Sequence, residues 1–289
     1  MVQTAPKTQA WQGVAHLAYQ MRGERCTPTE TFTRAPLKVQ KPLYPEGDRI
    51  CHSTLVHTAG GMVGGDQLDI DLNLEAGCRT LLTTAAANKI YGSQTTPNAS
   101  TPREVLQSVH LSLGADSCLE WFPQETIVFN QAYFHQDIRV NLAPGSVWCG
   151  WDIMRFGRSA RGERFLQGNV RSRLAVWQGQ YPLWIDHQHL AGGSPALDSL
   201  NGLAGHPVVG TFALVGKMPA PEQVNLLRDL WLADYPGDVG VTRLQQGILC
   251  RYRGPSSQAA RKWFVAVWQA LRPWYLETPV TVPRVWGRA

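Results

Sequence analysis

His187 and His189 stand two residues apart in the run Asp186-His187-Gln188-His189, so on an extended strand both imidazoles face one side, as paired metal ligands do. No third ligand accompanies them at a fixed spacing, and ordinary polar residues on a partly exposed strand read the same way. His52 and His57 flank another strand-like run, but five residues of separation send them to opposite faces, which disfavours joint ligation. Nucleophilic chemistry lacks its parts: there is no Gly-x-Ser-x-Gly elbow and no His-Glu-x-x-His motif. Six cysteines, at 26, 51, 78, 118, 149 and 250, are scattered singly without a Cys-x-x-Cys pair, which reads as reduced, mostly buried thiols.

One carboxylate is placed differently. Asp66 closes the segment His57-Thr-Ala-Gly-Gly-Met-Val-Gly-Gly-Asp, in which Gly60, Gly61, Gly64 and Gly65 let the chain bend sharply and pass close to other backbone or a ligand. A phosphate-binding glycine loop opens a helix; this one opens a strand, and no Gly-Lys-Ser/Thr follows, so nucleotide binding is not expected. Asp66 can tie its own loop through Asx-type bonds. A buried carboxylate otherwise needs a hydrogen bond, a counter-charge or a metal.

The elements that must position these groups are mostly strands. Leu68, Ile70, Leu72 and Leu74 alternate with polar residues over 67–74, and the next run begins at Thr80. Val105 to Leu113 and Ile138 to Leu142 alternate likewise, ending at Gly114-Ala115-Asp116 and Pro144-Gly145. Short strands joined by such turns predict a mainly β fold, a large antiparallel or mixed body, with antiparallel neighbours. No repeat is strict enough for a propeller or a regular β-helix. The last third predicts about two helices. Pro221 to Tyr235 has apolar residues at helical spacing before Pro236-Gly237. Ser256 to Leu271 carries an apolar stripe through Trp263, Phe264, Val267 and Trp268, expected to be a core-facing seam, and Arg272-Pro273 should end or kink it.

Length 289 is compatible with one or two domains, and with no composition break to mark a linker a single domain over 1–289 is expected, with 1–10 flexible. Met1 to Ala10 lacks the apolar core of a secretory signal, and no window approaches the roughly 18 apolar residues of a membrane span, so a soluble, cytoplasmic chain is expected. Charged residues are only 17% of the chain, which also has 11 Trp; such a surface suits burial against partners, as does a well-filled β core. The net charge of +5 includes a cluster at Arg155, Arg158, Arg161, Arg164, Arg171 and Arg173. Without a stacking motif or recognition-helix pattern it does not mark a nucleic-acid site, and an acidic protein partner explains it equally well.

Four segments in order resemble one family. They are the 57–66 loop, Leu-Leu-Thr-Thr-Ala-Ala-Ala-Asn-Lys-Ile-Tyr-Gly-Ser at 81–93, Leu-Glu-Trp-Phe-Pro-Gln-Glu-Thr-Ile-Val-Phe at 119–129, and Gly-Trp-Asp-Ile-Met-Arg-Phe-Gly-Arg-Ser-Ala-Arg-Gly-Glu at 150–163. Over residues 10 to 280 the chain resembles the urease accessory protein UreD (UreH in some organisms). One departure is Gly92, where the family pattern has a basic residue.

The resemblance implies a non-enzymatic scaffold in urease maturation. Such a protein binds the apo-urease structural subunits and recruits UreF, through which the GTPase UreG joins. Nickel supplied by UreG then passes on to the urease dinickel site. On that implication Asp66, His57, Glu120, Glu125 and Asp152 are candidates to line a polar passage touched by Ni²⁺ only transiently. Weak oxygen ligands suit cargo that must be released. Lys89, Tyr91, Arg155, Arg158 and the run to Glu163 are candidate partner contacts, and neither a tightly bound cofactor nor a nucleic-acid or membrane partner is implied. The rival reading is a metal-dependent β-barrel enzyme using His187, His189 and a carboxylate.

Overall fold

A computed structural model describes residues 10–92, 102–158, 161–231 and 235–286. The segment 1–10, expected to be flexible, lies outside the described residues except for Ala10. Strands β1 (Gln12–Arg22), β2 (Arg25–Arg34) and β3 (Leu37–Val39) precede β4 (Ile50–His57), β5 (Gln67–Leu74), β6 (Arg79–Thr84), β7 (Asn88–Ile90) and β8 (Val105–Leu113). They are followed by β9 (Cys118–Phe122), β10 (Thr126–Val128), β11 (Ala132–Leu142), β12 (Val147–Phe156), β13 (Gly168–Gln178), β14 (Tyr181–Ala191) and β15 (Val208–Val215). Helix α1 (Pro221–Asp229), β16 (Asp238–Leu244), β17 (Gly247–Gly254) and α2 (Ser257–Leu276) complete the order.

Alternation puts one face of each strand into a shared interior, and the chain satisfies this by winding as a coil. From β4 onward it steps between two sheets. One stacks β5, β8, β11 and β13 in parallel; the other stacks β4, β6, β9 and β12 in parallel. The full orders are β14-β13-β11-β8-β5-β1-β2 and β16-β17-β15-β12-β9-β6-β4-β3, with β7 and β10 added beside β12. The mainly β, mixed architecture is therefore as expected, but neighbours in the centre are parallel rather than antiparallel. Hairpin antiparallel pairing is confined to the ends of the coil, because only there do consecutive strands pair with each other.

A repeat does underlie the coil. Leu74, Leu113 and Leu142 pair side by side, and the turns that follow them stack: Gly77 N–H donates to Ala115 O at 2.9 Å and Asp116 N–H to Pro144 O at 3.2 Å. Each turn opens with Leu and reaches Cys78, Ser117 or Ser146 four residues later. The spacing between turns varies, which hides the period.

The inner faces of both sheets form one core, with Leu72, Val109, Val140 and Trp148 fully or almost fully buried. A second core lies on the outer face of the larger sheet, where α2 lays Trp263, Phe264, Val267 and Trp268 over Phe122, Trp151 and Phe212. The Trp-rich stripe is thus a seam. Ser256 caps α2, accepting from Ala259 N–H at 3.2 Å. The helix does not end at Arg272-Pro273 but continues to Leu276, because burial of Arg272, Tyr275 and Leu276 outweighs the hydrogen bond that Pro273 removes. Helix α1 stops at Asp229, short of the expected Tyr235; residues 232–234 lie outside the described set. Strands β16 and β17 escaped the sequence reading, though Val239 and Val241 alternate there.

Candidate functional site: a polar corridor between the sheets

The four family-like segments converge at one end of the coil. Met62 of the glycine loop bridges Ile90 of β7, Ile90 pairs with Val128 of β10, and Val128 with Phe156 of β12. Met62 N–H donates to Lys89 O at 2.7 Å, and Tyr91 N–H to Met62 O at 2.9 Å. This close approach explains Gly61: a Cβ there would lie 2.5 Å from the Tyr91 ring and 2.8 Å from the Lys89 carbonyl, at a backbone φ of +152°. Gly92 has an equally local reason, since a Cβ would run into the carbonyl oxygen of Asn130.

Behind this frame lies a cavity of about 370 Å³ between the sheets. Apolar walls come from Leu55, Leu68, Ile70 and Trp121; His57, Asn88, Gln107, Thr126, Gln136 and Asp152 supply polar groups. The polar residues form rows across the strands. On the smaller sheet, Gln107 of β8, Gln136 of β11, Ser172 of β13 and Gln188 of β14 are register partners in sequence. On the larger sheet Asp152 of β12 pairs with Thr211 of β15, and Thr211 with Arg251 of β17.

Hydrogen bonds join the rows: Asn88 Nδ2 donates to Gln107 Oε1 at 3.1 Å, Gln136 Nε2 to Asp152 Oδ2 at 3.5 Å, and Gln188 Nε2 to Thr211 Oγ1 at 3.3 Å. Two acceptors, Asn88 Oδ1 and Gln136 Oε1, are buried without a protein partner among the described residues. A corridor of polar side chains thus crosses the strands along the coil axis within an otherwise apolar core, and its Gln107, Gln136 and Asp152 members border the cavity.

Of the five carboxylate and imidazole candidates, His57 and Asp152 line the cavity. Burial lowers the His57 pKa, against an opposing pull from Asp66, and so favours the neutral imidazole with a free lone pair. Burial, reinforced by the like charge of Asp186, pushes Asp152 up to about 7, while the Gln136 hydrogen bond and Arg251 oppose the rise. The other three sit elsewhere. Asp66 is buried, but its carboxylate turns back on its own surroundings and accepts from Trp11 N–H and Val63 N–H, both at 2.8 Å. Glu120 points to the opposite face of the larger sheet because β9 alternates, and there it accepts from Trp268 Nε1 at 2.6 Å and from the Tyr275 hydroxyl. Glu125 faces the start of α2, with Ser257 Oγ at 3.5 Å and Arg261 at 3.9 Å.

The expected partner residues frame the same end of the coil. Lys89 is exposed, and the Tyr91 ring packs edge-on to Phe129 at 4.8 Å. Arg158 lies over Phe129 at 4.6 Å and pairs with Glu163, and Arg155 Nη2 donates to Pro255 O at 3.0 Å. Within the run from Arg155 to Glu163, residues 159 and 160 lie outside the described set. His187 and His189 do share a face, but it is the outer one, register partners of Arg173 and Arg171. Two neighbouring guanidinium groups disfavour a cation there. No cluster of three or more His, Cys, Asp or Glu side chains among the described residues is arranged to hold a metal ion. The amide and hydroxyl members of the corridor, Asn88, Gln107, Gln136, Gln188 and Thr211, escape a search for charged motifs; their signal is polar residues at inward positions of alternating strands.

Fold and site together define a rung-stacked, two-sheeted β protein with a row of polar side chains and a cavity between its sheets. The family model for the UreD urease accessory protein matches residues 12–287, and the chain belongs to that family. It is similar to the urease accessory protein UreD of Acaryochloris marina, 48% identical over 278 residues, or 96% of this chain and 95% of that protein. It is also similar to UreD of Nostoc punctiforme, 46% identical over 286 residues covering 99% of each. UreD of Methylobacillus flagellatus is 40% identical over 279 residues, covering 96% and 94%. As a urease accessory protein the chain is a maturation factor and not an enzyme, which removes support from the metal-dependent enzyme reading. No helix of the described residues is long and apolar enough to cross a membrane.

Proposed function

We propose that this chain is a cytoplasmic scaffold of urease maturation that conducts nickel through the corridor between its sheets. It binds the apo-urease subunits and recruits UreF, with UreG joining through UreF. Ni²⁺ released by UreG enters beside His57 and Lys89 and moves along the Gln107, Gln136 and Asp152 oxygens toward the urease dinickel site. The observation that carries this reading is the row of register-paired polar side chains inside an apolar core, with an acceptor of Gln136 left unpartnered. A buried amide oxygen without a partner costs stability, and the unpartnered oxygens of Gln136 and Asn88 are therefore a cost that a use would offset. Carbonyl and carboxylate oxygens hold Ni²⁺ less tightly than clustered imidazoles or thiolates, which suits transit over storage. Lys89, Tyr91 and the Arg155–Arg158 stretch frame the mouth and form the partner surface.

The test is activation of apo-urease by purified UreF, UreG, nickel and this chain carrying Gln136→Leu. Activation is expected to fall at least about tenfold in initial rate, with the complex still recovered intact by pull-down. Normal activation by the substituted chain would show that nickel does not use the corridor. Failure of the folded wild-type chain to capture apo-urease or UreF would refute the scaffold reading itself.

A further inference from the structure

At the far end from His57 the corridor reaches a cation that belongs to the protein. Arg251 forks onto Asp186, with Nη2 2.7 Å from Oδ1 and Nη1 2.9 Å from Oδ2, and Nη1 also donates to Thr211 Oγ1 at 2.7 Å. Gln188 Nε2 donates to Asp186 Oδ2 at 2.9 Å and to Thr211 Oγ1 at 3.3 Å, closing a hydrogen-bonded ring that includes Arg251 Nη1. Thr211 is the register partner of both Arg251 and Asp152. One guanidinium therefore pairs directly with the Asp186 carboxylate and the Thr211 hydroxyl, and its charge also reaches Asp152. Beside them Gln136, only 2% exposed, hydrogen-bonds Asp152 while its own Oε1 lacks a protein partner.

We infer that Arg251 is a tethered cation occupying an oxygen cage that would otherwise bind a divalent metal ion, so that it closes the outer end of the corridor. This rests on the corridor reading above. With the guanidinium gone, the Asp186 carboxylate and the Thr211 hydroxyl that share its Nη1 would be left facing the same space, with the Asp152 carboxylate beside Thr211 in register and the unpartnered Gln136 Oε1 next to it. Hard oxygens of this kind accept hydrated divalent cations. A guanidinium stays charged at every pH the protein meets, so it blocks the cage permanently unless it moves. It has room to move: its side chain is 40% exposed against 13% for Asp186, and it borders an open groove formed by Gly202, Leu203, Val209 and Arg253. The exposed side of the guanidinium lets water take over its hydrogen bonds as the pair opens and recloses. Without Arg251 the cage would trap the cargo; with it, an arriving Ni²⁺ is released as the guanidinium returns.

Equilibrium dialysis of Ni²⁺ against the full chain tests this. Arg251→Gln is expected to gain one Ni²⁺ site at least about tenfold tighter than any in the wild type, and Arg251→Gln with Asp186→Asn is expected to lose that gain. In the complete activation mixture Arg251→Gln should retain nickel and slow activation. Arg251→Ala is the second variant, and in it millimolar guanidinium ion should displace the bound Ni²⁺. Unchanged Ni²⁺ binding in either folded variant overturns the tethered-cation inference while leaving the corridor to the Gln136→Leu result. A new site alongside normal activation by Gln136→Leu would instead sink the corridor and keep the cage.

Discussion

Asp66 and Asp152 show how two carboxylates of one chain acquire opposite roles. Asp66 receives two backbone N–H donors, one on each oxygen, which commit the carboxylate to closing the loop. Asp152 has one long hydrogen bond, from Gln136, and a like-charged neighbour in Asp186, with Arg251 shared between the two. Its pKa in the folded chain, about 7, lies above the roughly 3.9 of an unfolded aspartate. The folded state therefore holds a proton that the unfolded state has already lost between these values. Stability from this group is complete below about pH 4 and is lost as pH rises toward 7. Urea midpoints of the wild type should fall relative to Asp152→Asn between pH 5 and pH 8, and parallel profiles would show that Asp152 is not held protonated. The sequence left Asp66 open between tying its loop and lining a passage, because nothing in a sequence fixes which way a carboxylate turns at a glycine bend.

At the scale of elements, α2 is held by charge as well as by its aromatic seam. Arg272 is fully buried, 3.0 Å from Glu46 and 3.3 Å from Glu120, and Glu46 also contacts His52 Nε2 at 2.7 Å. Burial opposes charge on Arg272, but Glu120, Tyr275 and Glu46 outweigh it and hold the guanidinium charged; burial pushes Glu120 up. Arg272→Met strands two buried carboxylates against an apolar helix, so a loss of about 3–5 kcal/mol is expected in urea unfolding. Adding Glu120→Gln should recover part of it, and a loss below about 1 kcal/mol would mean that α2 is held by its seam alone. The apolar stripe and Ser256 cap made this helix legible, whereas its passage through Pro273 depends on Glu46 and Glu120, more than a hundred residues distant in sequence. The alternating strands were equally legible. Their parallel stacking was not, because alternation specifies a buried face and says nothing about which strand lies alongside.

Across the whole molecule the coil explains why a corridor can exist at all. Parallel stacking places equivalent inward positions of successive turns side by side, so polar residues at one register become a continuous row, as Gln107, Gln136, Ser172 and Gln188 do. The same stacking would make a stronger core if those positions were apolar. Gln136 is 2% exposed and leaves its Oε1 unpartnered, a deficit worth about 1–3 kcal/mol for a buried polar atom. Leu has nearly the same bulk and no such deficit, though it also forfeits the long bond to Asp152. Gln136→Leu is therefore expected to stabilise the chain by about 1 kcal/mol, which raises Tm by about 2–4 °C for a chain of this size. Differential scanning calorimetry on the variant and wild type measures the shift directly. A higher Tm together with lost urease activation would show that the polar row is kept for conduction at the expense of stability. A lower Tm would show that Gln136 is fully satisfied in the folded protein, and the row would then be a structural hydrogen-bond ladder.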